Sequence, residues 1–181
     1  MGATTTGVTV EEFVAGTFPP GHWLVEGNVI VNDPTFEHQR IAMLITAALL
    51  AWTREQPARG TAGFGGNWTI APGTVYKPDV WWTAEGHTPT GSRSDRAPDL
   101  AVEIRSPGTW TLDVGIKRRR YEEAGVAELW LVDSPARSVL VLRRTRPGAA
   151  NFDVALEVAA GETLTTPLLD GFEMAVGELF A

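Results

Sequence analysis

The chain has no cysteine among its 181 residues, which excludes a disulfide framework, a thiolate nucleophile, a zinc finger and an iron–sulfur cluster. Histidine is almost as scarce. His22, His38 and His87 show neither HxH nor HExxH spacing, so hydrolysis at a histidine-bound zinc is not expected. No serine stands in a GxSxG or SxxK frame, which removes the common serine nucleophiles. Phosphate-cradling loops are missing as well. There is no GxxxxGK(S/T), and the glycines Gly60, Gly63, Gly65 and Gly66 fail GxGxxG because Trp68 occupies the last position. The most apolar stretch, Ile41 to Trp52, is far shorter than the about 20 residues that cross a bilayer as a helix. With no basic segment leading an apolar one at the N-terminus, the expectation is a cytoplasmic protein with no membrane partner.

What remains has the composition of a globular chain, 44% hydrophobic and 20% charged, and its length fits a single domain over residues 1–181. The 15 basic and 22 acidic side chains give a net charge of -7. They are unevenly spread: nine basic and five acidic residues lie between Arg105 and Arg146, whereas Pro147 to Ala181 carry six acids and no Lys or Arg. A polyanion would therefore meet the middle of the chain. The acidic total still opposes tight nonspecific binding to nucleic acid, which rests on several lysine or arginine contacts to phosphate. Substrate encounter then calls for a dimer or a partner. A homodimer is a reasonable prior for such a domain, although nothing in the sequence marks its interface.

Thr9-Val10-Glu11-Glu12 has capping-box spacing and predicts a short helix toward Ala15, broken at Pro19-Pro20-Gly21. Trp23 to Glu26 and Val29 to Val31 flank Gly27-Asn28 and read as a hairpin. Asp33-Pro34 opens the longest helix, in which Ile41, Leu44, Ile45, Ala48, Leu49 and Trp52 form one apolar stripe before Pro57; that stripe should cover a sheet face. Two antiparallel strands, Asn67 to Ile70 and Val75 to Trp82, follow around Pro72-Gly73, and then a polar loop from Thr83 to Ala97. From Asp99 to Arg105 the chain alternates, with Leu100, Val102 and Ile104 on one face and Asp99, Ala101, Glu103 and Arg105 on the other. Thr111 to Ala124 reads as a helix stopped by Gly125, and Glu128 to Val132 as a buried strand, so strand, helix and strand make a right-handed parallel crossover. Ser138 to Arg143, Phe152 to Val158 and Leu164 to Met174 give further strands, and Val176 to Phe180 a last helical turn. Together they predict an α/β fold, a central mixed β-sheet flanked by helices, with extra C-terminal strands.

The chemistry left open is that of carboxylates and an amine. Asp79 follows Pro78, Glu103 lies in the alternating strand, and Lys117 in the helix after it. If the two strands pair, both carboxylates can converge on one face. With the backbone carbonyl of Ile104 they are hard oxygen ligands of the kind Mg²⁺ accepts while keeping several waters, and a metal so held polarises a phosphoryl oxygen and acidifies a bound water. A lysine beside it can orient or deprotonate that water. Arg105 cannot be deprotonated, which leaves it the holding of phosphate charge. Plainer readings stand beside these. Asp79 after Pro78 also suits a turn, and Glu103 an ion pair with Arg105 or Lys117. Asp113 and Lys117, at i and i+4, also suit an ordinary helical pair contributing about 0.2–0.5 kcal/mol. Tyr121 continues their face as a core or rim aromatic. His38, with Glu37 near the start of the long helix, suits a cap as well as an approach to the metal. Trp81, Trp82 and Trp110 lie close to the acids in sequence, where core burial and stacking on a base are both open.

At these residues the sequence resembles a known family. The order Trp23-Leu24-Val25-Glu26-Gly27, Glu37-His38-Gln39, Pro78-Asp79-Val80, Pro98-Asp99-Leu100-Ala101-Val102-Glu103-Ile104-Arg105-Ser106-Pro107, then Asp113, Lys117 and Tyr121, then Gly125-Val126-Ala127-Glu128-Leu129-Trp130-Leu131-Val132-Asp133, is similar to the Uma-two family of restriction-endonuclease-like proteins, within the PD-(D/E)xK nuclease superfamily. The similarity spans nearly the whole chain. It implies a restriction-endonuclease-like core, with Asp79 and Glu103 as the ligands of Mg²⁺ or Mn²⁺. Lys117 on the helix stands in for the lysine usually found two residues after the acid, where this chain has Arg105. The implied activity is metal-dependent endonucleolytic hydrolysis of nucleic-acid phosphodiester bonds, of DNA rather than RNA, with catalytic Asp79, Glu103 and Lys117 and auxiliary Arg105, Asp113, Tyr121 and His38. A catalytically inactive nuclease-fold module that binds nucleic acid or protein remains the alternative.

Overall fold

Proline and glycine decide where the strands of this chain break, and the breaks decide which sheet each strand joins. The computed structural model describes residues 3–16, 18, 22–31, 34–106, 110, 113–146 and 148–181. In chain order the elements are β1 (Ala3–Thr6), α1 (Val10–Ala15), β2 (His22–Val25), β3 (Asn28–Val31), α2 (Phe36–Glu55), β4 (Thr61–Gly63), β5 (Asn67–Ala71), β6 (Thr74–Tyr76), β7 (Val80–Thr83), β8 (Arg93–Ser94), β9 (Leu100–Ile104), α3 (Arg118–Glu123), β10 (Glu128–Asp133), β11 (Ser138–Arg143), β12 (Val154–Ala159), β13 (Thr163–Thr165) and β14 (Glu173–Ala175). A 3₁₀ turn at Val176–Phe180 ends the chain, as its pattern predicts.

Three sheets form among the described residues, where the sequence suggests one. The first has the order β1-β3-β2-β6-β5-β8, the second β12-β11-β10-β9-β7-β4, and β13 pairs with β14. The second sheet is mixed: β9 and β10 run parallel, joined through the helical segment between them, while β7 and β11 lie antiparallel to their neighbours. The expected strand, helix, strand unit is thus present.

Several local readings change. The run Val75 to Trp82 is two strands, because Pro78 has no N–H to continue a ladder; β6 stays in the first sheet and β7 enters the second. The hairpin turns at Glu26-Gly27, one residue earlier than expected. Both residues have positive φ, 49° and 77°, as a two-residue type I′ turn requires, and Asn28 Nδ2 donates back to the carbonyls of Val25 and Glu26. Leu164 to Met174 is a hairpin of β13 and β14 rather than one strand, since Pro167 and Gly171 interrupt it. The polar loop Thr83 to Ala97 contains the short β8, which pairs with β5, and β1 has no counterpart in the sequence pattern. The helix expected from Thr111 begins, within the described residues, as a π-helical turn at Asp113–Lys117 that runs into α3. Thr111, Asp33 and the Pro19-Pro20-Gly21 break lie outside the described residues.

The helix caps behave as their sequences dictate. Thr9 and Glu12 form a reciprocal capping box on α1. Thr35 caps α2 by accepting from the His38 backbone. The buried stripe of α2, with Ile41, Ile45, Leu49 and Trp52, packs on Leu100, Val102 and Ile104 of β9. The opposite face of the second sheet, with Ala101, Leu129 and Leu131, meets Trp68, Ile70 and Tyr76 of the first sheet and Tyr121 of α3. The alternation read from Asp99 to Arg105 therefore holds, and its polar face points between the two sheets.

One buried carboxylate pins the C-terminal part to this frame. Glu128, with 0% exposure, accepts from Trp130 Nε1 at 2.6 Å, Arg143 Nε at 2.8 Å and Thr166 Oγ1 at 2.7 Å. Removing it leaves a half-buried guanidinium without its counter-charge, the kind of break that costs about 3–5 kcal/mol. Glu128→Ala is expected to lower unfolding free energy by about 3 kcal/mol or more in urea titration; a loss below about 1 kcal/mol would show the cluster to be incidental.

Candidate active site

Glu103 is the one acidic residue of β9, and its side chain projects between the two sheets where a lone carboxylate would be costly. It is met by two groups from a single helical face. Lys117 Nζ donates to Glu103 Oε2 at 3.0 Å and the Tyr121 hydroxyl donates to Oε1 at 2.7 Å. Lys117 ends the π-helical turn and Tyr121 follows one turn later in α3, so the i, i+4 spacing aims both side chains at the same strand. None of the three is more than 2% exposed. The ammonium also lies 3.9 Å from the ring centre of Trp23 on β2 and 5.7 Å from that of Tyr76 on β6, so the first sheet presents π faces to the cation.

Asp79 arrives from the other direction. It directly precedes β7, which pairs with β9 so that Val80 is opposite Val102. Continued by one residue, that register sets Asp79 opposite Glu103. Asp79 Oδ2 accepts from the Ile104 backbone N–H at 2.8 Å and lies 3.0 Å from His38 Nε2. The imidazole is buried, 5% exposed, and its place follows from the Thr35 cap that fixes the first turn of α2. The structure thus brings together Glu103, Lys117 and Tyr121 in one cluster, and Asp79 with His38 in a second. The two are joined at the Glu103-Ile104 peptide unit. Asp79, 18% exposed, opens onto a groove of about 520 Å³ that runs along α2.

The remaining expected residues are placed less centrally. Arg105 Nη1 donates to both carboxylate oxygens of Asp133, at 2.9 and 2.8 Å, and the guanidinium lies 5.4 Å from the Trp110 ring centre. The side chain of Asp113 lies outside the described residues. Glu26 pairs with Arg120 at the rim. Trp82 is a core residue, 5% exposed, donating to the Arg59 carbonyl at 2.7 Å, and Trp81 packs edge-on against Trp68. Trp23 and Tyr76 belong to the cluster and were not singled out as site residues. Their apolar surroundings in sequence carry no sign of a cation partner, because the pairing is made between sheets.

Burial is the chief cause that pushes both tyrosine hydroxyls of the chain well above their ordinary value. For Tyr121 the adjacent Glu103 carboxylate adds to the effect, and for Tyr76 the nearby Lys117 partly opposes it.

A family model described as "Putative restriction endonuclease", Uma2, matches residues 19–177. The chain belongs to the Uma2 family. Its fold is similar to that of a solved structure from Anabaena variabilis, titled a "putative nuclease belonging to DUF820", with a TM-score of 0.77 and 18% identity over 96% of this chain and 97% of that one. No curated protein matches the chain. Family and structural neighbour together bear out the nuclease-like α/β architecture expected from the sequence. The helices of the described residues include none long and apolar enough to cross a membrane.

Nucleases of restriction-endonuclease type generally use divalent metals. No group of three or more His, Asp and Glu side chains gathers as a ligand cluster among the described residues. The donor chemistry of Asp79 and Glu103 nevertheless fits a hard cation, since Mg²⁺ is commonly held by one or two carboxylates together with water and substrate phosphate. A carboxylate offers about four acceptor positions.

Two outcomes follow from this geometry. Lys117→Met removes the cation beside a buried carboxylate and is expected to cost about 3–5 kcal/mol in chemical unfolding, with the double variant Glu103→Leu/Lys117→Met recovering much of the loss; equal losses in both would contradict a tight pair. Tyr76 and Tyr121 are the only tyrosines of the chain. Because both are raised in the folded state, the unfolded chain ionises first, so stability is complete below about pH 10 and is lost above it. Tyrosinate absorbance should therefore appear only together with loss of circular dichroism in an alkaline titration, and a tyrosine ionising in the folded protein near pH 10 would refute this.

Proposed function

We propose that this nuclease-family protein is a Mg²⁺- or Mn²⁺-dependent endonuclease that hydrolyses phosphodiester bonds of nucleic acid, with DNA as the substrate, and that it works as a homodimer in the cytoplasm. The observation that carries the reading is the buried Lys117–Glu103 pair set across one peptide unit from an Asp79 locked to Ile104 N–H. A stabilising role alone does not explain such a pair, because hydrophobic side chains of similar volume serve stability as well or better.

Asp79 and Glu103 would hold the cation, which when bound supplies Lewis-acid polarisation of the phosphate and a more acidic water. The chain's own groups do the rest. Ile104 N–H and His38 fix the Asp79 carboxylate. Tyr121 and Lys117 fix that of Glu103; as the ammonium Lys117 would orient the attacking water, and it would take that water's proton only from its neutral amine form. Arg105, anchored on Asp133 and 35% exposed, would face the additional negative charge that develops on phosphate. The alternative, a catalytically inactive binding module on the same fold, is favoured by one fact: both Glu103 oxygens already accept bonds from the protein.

Asp79→Ala and Glu103→Ala are each expected to reduce Mn²⁺-dependent nicking of supercoiled DNA by about 100-fold or more while circular dichroism is unchanged. Undiminished cleavage in either variant overturns the catalytic assignment. Calorimetric titration with Mn²⁺ separates the two readings, since only the nuclease requires binding that Glu103→Gln weakens.

A further inference from the structure

Helix α2 gives one face to the core and leaves much of the other exposed. Ile41, Ile45, Leu49 and Trp52 are buried in the core. On the opposite side Phe36 is 93% and Met43 65% exposed, Ala47 is exposed and Leu50 half-buried, recurring at seven and at three or four residues as a continuous apolar stripe. Phe64, 75% exposed, stands across the 520 Å³ groove that this stripe borders. Contiguous apolar surface of this kind on a folded chain marks an interaction site.

We propose that this face of α2 is the docking surface for a second copy of the same chain, packed antiparallel about a two-fold axis that passes between Thr46 and Ala47. Three features of the helix select a copy of itself over another occupant. About that axis the stripe is self-complementary: Met43 meets Leu50 of the partner subunit, and Gln39 meets Arg54 of the partner subunit, as an isologous contact requires. Ala47, exposed beside the axis, is small, which permits a close approach of the two helices. The charge pattern also agrees. Two chains of net charge -7 repel, yet from His38 to Arg54 the helix carries no Asp or Glu, so they meet where the repulsion is least. Antiparallel packing further sets opposite helix-dipole ends side by side. Asp79 and His38 line the inner end of the groove, so the second copy forms the outer wall of the candidate active site of each chain. The inference of the interface stands whether or not that site is catalytic.

The absence of cysteine makes the test direct. The 181-residue chain at tens of micromolar should show twice its 19.5 kDa mass in light scattering after size exclusion. Met43→Glu/Leu50→Glu should show the single-chain mass with unchanged circular dichroism. Ala47→Cys, beside the axis, should form a covalent dimer when treated with diamide, and Glu85→Cys, on an exposed loop, should not. A monomeric wild-type protein, a dimer that survives both glutamates, or cross-linking from position 85 as readily as from 47 overturns the proposal; the first would leave the stripe to a different protein or to nucleobases.

Discussion

The contact between Lys117 and Glu103 organises the rest of this molecule. It is made at 3.0 Å in a place water hardly reaches, where desolvating two ions costs several kcal/mol each unless the geometry and the surrounding hydrogen bonds offset it. The offset is visible in the neighbours: Tyr121 satisfies the second carboxylate oxygen, and the Trp23 face lies against the ammonium. These four groups come from β9, from the π-helical turn, from α3 and from the first sheet. The pair therefore ties together the two sheets and the crossover segment that joins β9 to β10. An apolar replacement could supply the same cohesion, but it could not supply a carboxylate and an amine held at bonding distance beside a second acid.

Two local irregularities put the groups there. Pro78 ends the pairing of β6, and within Lys77-Pro78-Asp79 the chain passes from one sheet to the other, which delivers Asp79 to the end of β9 instead of leaving it inside a long strand. The wide turn Asp113–Lys117 precedes the regular α-helix, and such single π turns are frequent at functional sites. Both features are departures from regular pairing made at the point where the candidate chemistry lies. Other irregularities lie in the first sheet, where register shifts between β1 and β3 and between β5 and β6, whereas β10 and β11 keep register through six consecutive pairs.

The parts of this arrangement that were legible in the sequence are those written in local pattern. The alternation from Leu100 to Ile104 located Glu103 on the polar face, the i, i+4 spacing put Lys117 and Tyr121 on one helical face, and the crossover from β9 to β10 followed from a strand, a helix and a buried strand in succession. The family motifs then singled out Asp79. What the pattern could not carry depends on contacts between distant segments. Nothing around Trp23 or Tyr76 signals that their rings will flank a lysine some 40 or more positions away. His38 reads equally well as a cap residue, and in the structure its backbone does serve the cap while its ring serves Asp79. The turn at Glu26 was displaced by one residue because a non-glycine at positive φ is uncommon and the Gly-Asn pair is the more usual signal.

The electropositive middle of the chain illustrates how a composition argument is altered by folding. Between Arg105 and Arg146, Arg105 is held by Asp133, Arg120 by Glu26 and Glu123, Arg143 by Glu128, and Arg144 by the carbonyls of Glu122 and Val126. Lys117 is buried. Much of the local surplus of positive charge is thus neutralised or withdrawn from the surface, and long-range attraction for a polyanion is correspondingly weak on a chain of net charge -7. A protein so built must gain its hold on nucleic acid at short range. The carboxylates at Asp79 and Glu103 would themselves repel a phosphate, and a cation held by them, as proposed, would reverse that sign only locally. On that reading recognition would be confined to the immediate neighbourhood of the site, bounded on one side by the groove along α2, and the net charge of -7 would discourage binding elsewhere.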